Sequence, residues 1–510
     1  MRNRRTASLL AVGAATALIS ALTPAMASSA SRTTAAKDPL RQYTQQNPRW
    51  QRCDAENPAT YQCATLKVPL DYSDPDGKRI GIAISRLKAS SAEERRGVLL
   101  LNPGGPGGPG LDMPVDPELN LPGKVKRQYD LIGFDPRGVG QSAPVGCGLT
   151  DDERNDERSY GAETFAKDVE WARTVADKCR AQAGDALRHL TTRNTARDMD
   201  VIRAVLGERK ISYLGYSYGT YLGAVYTQMF PRRTDRFVLD SATDPAWVWR
   251  GMFRRMAEGA EPAFTRWSEW TAERHPTYNL GHTPAEVRKT FWKLIARADD
   301  KPIDSDGTAL TGDDIRSELR AEFVRVQRAA ERVVELKRAA EGRTSAPSGT
   351  PERVQGPVPP AFARDVPQDN DAASAWSVLC ADTRTWPRDP EQYRRDAIRD
   401  KARYPLYGDF ASNIKPCAFW KQGGEPATTV NNKVDALILQ NQWDPQTPLA
   451  GARAMHRALR GSRMVTVAGG EGHGVYGTDS CADRSATAYL TTGRLPAEDL
   501  TCRAPSGQQE

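Results

Sequence analysis

Short runs in which almost every residue is apolar recur through the first half of this chain and return near its end. Residues 97–101, 129–134, 211–216, 236–239 and 434–439 are of this kind. A strand buried on both faces, as in a parallel sheet covered by helices, has this composition. Between the runs the spacing lengthens. Residues 162–181 and 195–206 read as helices, the second with apolar positions at Met199, Ile202, Val205 and Leu206. Strands alternating with helices predict βαβ units and a parallel sheet. Ahead of them, residues 65–70 and 80–87 predict an antiparallel hairpin turning at Asp74-Pro75-Asp76-Gly77. A late strand over 463–467 follows a helix over 449–459.

The alternation breaks from about Trp247 to residue 379. That stretch is rich in Trp, Arg and Glu, and an amphipathic pattern over 313–340 (Ile315, Leu319, Phe323, Val326, Val333, Leu336) predicts one long helix. Residues 343–371 are rich in Pro, Ser and Gly and read as a loop. The expected organisation is a core over 40–246 and 380–510, with a mainly helical cap inserted over 247–379. The fold class is α/β, a mostly parallel central sheet flanked by helices.

Length supports this division, because 510 residues exceed one ordinary domain. Residues 1–27 read as a secretory signal: Arg2, Arg4 and Arg5, an apolar stretch over 7–22, and Ala25-Met26-Ala27 as a cleavage site. A membrane anchor is the alternative, for which the stretch is short and Ala-rich. Residues 28–39 then form a leader or propeptide. The expected location is outside the cell, with no membrane contact once the signal is removed and with the chain a monomer. In that setting the eight cysteines can oxidise. Pairing of sequence neighbours gives Cys53 with Cys63, Cys147 with Cys179, Cys380 with Cys417 and Cys481 with Cys502. No C-x-x-C pair is present, which argues against structural zinc; no metal or other cofactor is expected. The net charge of +7 is spread among interspersed acids rather than gathered in a block, so nucleic acid is a poor partner.

The candidate chemistry sits where the apolar runs end. Gly215-Tyr216-Ser217-Tyr218-Gly219 follows one strand and opens a helix, the context in which G-x-S-x-G exposes a serine on a sharp turn. Asp444 follows the strand over 434–439, and His473 follows the next, in Gly469-Gly470-Glu471-Gly472-His473-Gly474. Serine, acid and histidine in that chain order are the triad of an α/β-hydrolase. A neutral serine is a poor nucleophile; His473 would take its proton and Asp444 would orient the imidazole. The Tyr218 amide and a glycine amide from the 102–108 loop, Asn-Pro-Gly-Gly-Pro-Gly-Gly, would bind the oxyanion. Taken singly, Asp444 can start a turn, His473 can be an exposed loop residue like His189, His275, His282 and His456, and the glycine loop can bind phosphate, although it lacks a G-K-[ST] ending.

These segments, with Asp135-Pro136-Arg137-Gly138-Val139-Gly140-Gln141-Ser142 and Val238-Leu239-Asp240, resemble the proline iminopeptidase and tripeptidyl aminopeptidase branch of the α/β-hydrolases, in particular its secreted actinobacterial members. The resemblance implies a serine exopeptidase acting on peptide or protein amino termini, with Gly105 as the oxyanion glycine. Pro103 stands where intracellular iminopeptidases carry histidine, a departure similar to the secreted branch. Trp267-Ser268-Glu269-Trp270-Thr271 has threonine where the iminopeptidase motif has a substrate-binding glutamate, which favours release of a longer product, most readily a tripeptide. Acids early in the cap, Glu258, Glu261 and Glu269, are then candidates for holding the substrate ammonium. The alternatives are an esterase or lipase for small acyl substrates, an iminopeptidase, and a binding protein on the same scaffold.

Overall fold

The apolar runs become neighbours in one sheet. In the computed structural model the described residues are 38–343, 365–420, 423 and 425–504. The expected signal over 1–27, nearly all of the leader and the middle of the Pro- and Ser-rich loop lie outside them. The strands are β1 (Gln51–Arg52), β2 (Tyr61–Pro69), β3 (Arg79–Leu87), β4 (Gly97–Asn102), β5 (Tyr129–Phe134), β6 (Ile211–Tyr216) and β7 (Thr234–Asp240), then β8 (Ile303–Ser305) and β9 (Thr308–Leu310), then β10 (Ala436–Trp443), β11 (Arg463–Glu471) and β12 (Leu500–Arg503). All but β8 and β9 share one sheet in the order β1-β2-β3-β5-β4-β6-β7-β10-β11-β12. From β5 to β12 every neighbouring pair is parallel, whereas β1, β2, β3 and β5 pair antiparallel.

Two-residue periodicity distributes these strands over two cores. Val98, Leu100, Ile132, Tyr213, Leu239 and Ile438 face one hydrophobic cluster. Their neighbours Leu99, Leu101, Leu131, Leu214, Val238 and Leu437 face another. Helices cover both faces, which is why these runs carry no polar alternation. Those used below are α1 (Phe165–Ala183), α2 (Thr192–Val205), α3 (Tyr218–Met229), α4 (Arg250–Glu273), α5 (Pro284–Asp300), α6 (Gly312–Glu322), α7 (Val326–Ala340), α8 (Asn370–Ala381) and α9 (Leu449–Ala458).

The inserted helices have a core of their own. Phe264 and Trp267 of α4, Phe291 of α5 and Phe323 just past α6 are buried in one cluster with Leu319, Val333 and Leu336. Phe264 stacks on Trp267 with ring centroids 5.5 Å apart, and Phe323 lies 4.7 Å from Trp267. Leu406, Tyr407, Phe410 and Ala411 join the same cluster from beyond residue 379, while Ala373, Trp376 and Val378 of α8 pack on the sheet. The single helix expected over 313–340 is two, α6 and α7, broken at Phe323 to Arg325. Adjacent Phe323 and Val324 are both fully buried, and successive residues of a continuous helix, about 100° apart, do not share one narrow apolar stripe.

All four neighbour-paired disulfides form: Cys53–Cys63, Cys147–Cys179, Cys380–Cys417 and Cys481–Cys502. Among the described residues no helix is long and apolar enough to cross a membrane.

Candidate active site

Ser217 lies between β6 and α3 with φ 56° and ψ −122°, a strained conformation that a functional constraint must hold. Two close approaches fix the turn. A Cβ on Gly219 would lie 2.7 Å from Asn102 Oδ1, and one on Gly104 would lie 2.5 Å from Tyr216 O and 2.9 Å from Ser217 Cβ. The glycine loop therefore presses directly on the serine turn, and any side chain at either position would push them apart.

Asn102 Oδ1 accepts the Gly104 N–H at 3.1 Å, which holds the start of that loop. The loop's far end is tied by Asp135, whose Oδ1 accepts Gly110 N–H at 2.8 Å and Leu111 N–H at 3.2 Å, and whose Oδ2 accepts Gln141 N–H at 2.8 Å. Burial pushes the Asp135 carboxyl up to about 6 against those three amides. Among the described residues, no other group takes the amides of Gly105 and Tyr218, and Tyr218 N–H is one of the orphan donors at the start of a helix.

Asp444 follows β10 and is fully buried at its side chain, and His473 follows β11 with its side chain 30% exposed. The imidazole Nδ1 is 2.9 Å from Asp444 Oδ2 and 3.0 Å from Oδ1. Asp444 also accepts the amides of Gln446 and Thr447 at 2.9 and 2.8 Å and the Thr447 hydroxyl at 2.9 Å. Burial by itself would raise this carboxyl, but His473 and those amides hold it below the ordinary value, so it remains a carboxylate. Burial would likewise lower the His473 imidazole, but the carboxylates of Asp444 and then Asp240 outweigh it and raise the pKa. With Nδ1 bound to Asp444, Nε2 is the nitrogen left for chemistry. Ser217 Oγ and the imidazole are not hydrogen-bonded to one another here; apo sites commonly close that contact only with substrate.

The cap reaches both loops. Arg266 of α4 pairs with Glu471, just before the histidine loop, and its guanidinium lies 5.0 Å from the Trp443 ring centroid. Arg320 of α6 donates to Pro445 O at 3.1 Å, next to Asp444. Glu258 pairs with Arg255, Glu269 is exposed, and Glu261, the most buried of the three, accepts the Leu406 N–H at 2.8 Å. Burial raises the Glu261 carboxyl. Among the described residues no group of His, Cys, Asp or Glu is placed to hold a metal ion.

Several residues that shape the site have roles that no sequence motif announces. Asp240 ends β7 and Asn441 follows the apolar run of β10, and a polar residue after such a run is the signal that finds them. Arg137 of the D-P-R-G segment makes a two-pronged ion pair with Asp198, at 2.7 Å on each prong, completely out of water.

A serine on a strand-to-helix turn, with an acid and a histidine beyond later parallel strands, defines a serine hydrolase of the α/β-hydrolase fold. Comparison with known proteins agrees: an "alpha/beta hydrolase fold" family model matches residues 97–290 and a "TAP-like protein" model matches residues 404–502. The tripeptidyl aminopeptidase of Streptomyces lividans is 35% identical over 89% of this chain and 86% of its own length. That of Streptomyces coelicolor is 34% identical over 89% and 85%. The serine protease Hip1 of Mycobacterium tuberculosis is 29% identical over 89% and 90%. The chain belongs to the tripeptidyl aminopeptidase family.

Proposed function

We propose that this chain is a secreted, monomeric serine exopeptidase that removes tripeptides from free amino termini through an acyl-enzyme. The observation that carries the reading is the His473 to Asp444 hydrogen bond at 2.9 Å on a chain whose relatives of matching length include two tripeptidyl aminopeptidases. Ser217 Oγ attacks the scissile carbonyl as His473 Nε2 takes its proton, and Asp444 stabilises the imidazolium. The amides of Gly105 and Tyr218 receive the oxyanion. Collapse of the tetrahedral intermediate breaks the C–N bond, and His473 gives its proton to the departing amine. Water, deprotonated by the same imidazole, then attacks the acyl carbon, and His473 returns that proton to Ser217 Oγ as the acyl C–O bond breaks.

An amino-terminal enzyme must bind an ammonium, and buried carboxylates do so best through charge-assisted bonds. Among Glu258, Glu261 and Glu269, Glu261 suits that role because it is the most buried of the three and its carboxylate is anchored by the Leu406 N–H. The four disulfides support an extracellular location.

The test compares a free-amine tripeptidyl chromophore with its amino-terminally acetylated counterpart. Loss of turnover on acetylation supports the exopeptidase reading, and equal turnover of both, or faster turnover of simple esters than of either, contradicts it.

A further inference from the structure

Asp240 ends β7 with its side chain fully buried, and no step of the proposed chemistry uses it. Its main-chain carbonyl accepts the Ser217 N–H at 3.0 Å. Its carboxyl accepts the Val475 N–H at 3.0 Å on Oδ1 and the Tyr476 N–H at 2.7 Å on Oδ2. The next residue, Ser241, donates its hydroxyl to Asp240 Oδ1 at 3.0 Å and accepts the Gly474 N–H on that hydroxyl at 2.9 Å. The amides of 474, 475 and 476, the residues directly after His473, are thus all taken by Asp240 at the end of β7 and Ser241 just past it.

The opposite side of the same loop is held by the neighbouring strand. Asn441 of β10 donates through Nδ2 to Gly472 O and Gly474 O, both at 3.0 Å. The histidine loop is therefore clasped by its amides from β7 and by its carbonyls from β10. That loop needs such a clasp, since it is glycine-rich and Gly474 stands at φ +93° with nothing within 4 Å of where its Cβ would be. Left to itself, such a backbone has many conformations to sample.

We propose that Asp240 is a positioning residue that ties the serine turn and the histidine loop to one point, so that Ser217 and His473 keep their mutual register. This rests on the reading of Ser217 and His473 as nucleophile and base. The main-chain contact to Ser217 survives any substitution, while the side-chain contacts to 475 and 476 do not, so the two halves of the tie are experimentally separable.

The charge of Asp240 acts in the same direction as its geometry. The groups that face it are the His473 imidazole and the amides of its loop, the Tyr216 phenol from β6 and the Ser241 hydroxyl, with Asp444, just past β10, behind the imidazole. Burial raises the Asp240 carboxyl to about 7 against its amide bonds. As an anion it helps to raise His473; removing it lowers the pH at which the imidazole becomes neutral.

The test measures fluorophosphonate labelling of Ser217, steady-state turnover and pH profiles for the parent, Asp240→Asn and Ser241→Ala. Asp240→Asn preserves volume but turns an amide group toward a backbone N–H. A misplacement of the order of 1 Å costs about 100-fold, so kcat and the labelling rate should fall together by about that factor while KM changes little. The acid limb should also move to lower pH. Ser241→Ala removes the bond to Gly474 and the hydroxyl's bond to Asp240 Oδ1 but leaves the Asp240 bonds to 475 and 476, and should slow labelling by about 3- to 10-fold, the effect of one or two hydrogen bonds.

Parent-like labelling and an unmoved acid limb in folded Asp240→Asn overturn the inference. So does a loss of activity that only tracks the fraction of folded protein. Should Asp240→Asn fail to fold, Ser241→Ala decides: slowed labelling at unchanged KM supports the tie, and a parent-like rate overturns it. A parent enzyme that Ser217-directed reagent does not label overturns the catalytic reading itself, a different result from any difference among variants.

Discussion

The loops at the carboxyl ends of the sheet and the helices inserted above them are built from different materials. Around Ser217, Asp444 and His473 the contacts are short, directional and almost all to backbone: Asp135, Asp240, Asn441 and Asp444 between them hold the glycine loop, the serine turn and the histidine loop. In the cap the contacts are rings on rings, with arginines at the edge, Arg266 on Glu471 and Arg320 on Pro445. Hydrogen-bonded networks specify position to a fraction of an ångström, whereas aromatic packing specifies a shape. On the proposed function, the contrast fits chemistry at the sheet and choice of substrate at the cap.

Substitutions on the two sides should fail differently. Asp444→Asn replaces the carboxylate with an amide that can donate to Nδ1 and so favour the wrong imidazole tautomer, and kcat should fall by about 10⁴-fold with the fold intact, measured by turnover alongside circular dichroism. Arg137→Ala leaves Asp198 charged and buried, and should lower stability by about 3–5 kcal/mol in denaturant titration. Phe264→Ala opens the cap's ring cluster at a cost of about 3–5 kcal/mol, yet fluorophosphonate labelling of Ser217 should persist. Its peptide KM should rise by about tenfold or more, the mark of lost binding rather than lost chemistry. Equal damage to labelling and to peptide binding would erase the contrast.

The smallest effect is on pH. His473 must be neutral to accept a proton, and its pKa is raised, so the acid limb of kcat/KM should lie above the ordinary histidine value of about 6.5. Activity is present above that limb and lost as pH falls through it; a limb below about 6 would mean that burial rather than Asp444 dominates the ring.

The same contrast explains what could be read before the structure. Most of the parallel strands were legible because a strand covered on both faces is apolar throughout, as in 97–101 and 211–216, and Ser217, Asp444 and His473 because they follow strand-like runs; the edge strand β12, largely exposed, was not. The break between α6 and α7 was hidden because the apolar spacing continues across Phe323 to Arg325 while tertiary burial of both Phe323 and Val324 sets the turn. The cluster shared by Phe264 and Leu406 was equally hidden, as contacts between segments so far apart in sequence leave no periodicity. Asp240 stood in plain view at the end of Val238-Leu239-Asp240, but the three amides that it and Ser241 collect come from residues far along the chain. Arg137 within D-P-R-G was visible, and its role was not, for the same reason.

The central claim is that Ser217 cleaves the third peptide bond from a free amino terminus. A time course of a free-amine decapeptide digested by the enzyme and followed by mass spectrometry tests it directly. The account predicts a ladder that shortens by three residues per step from the amino end, with the released tripeptides in equal amount, and no products from the acetylated decapeptide. Shortening by single residues, or internal fragments from the acetylated peptide, would contradict it.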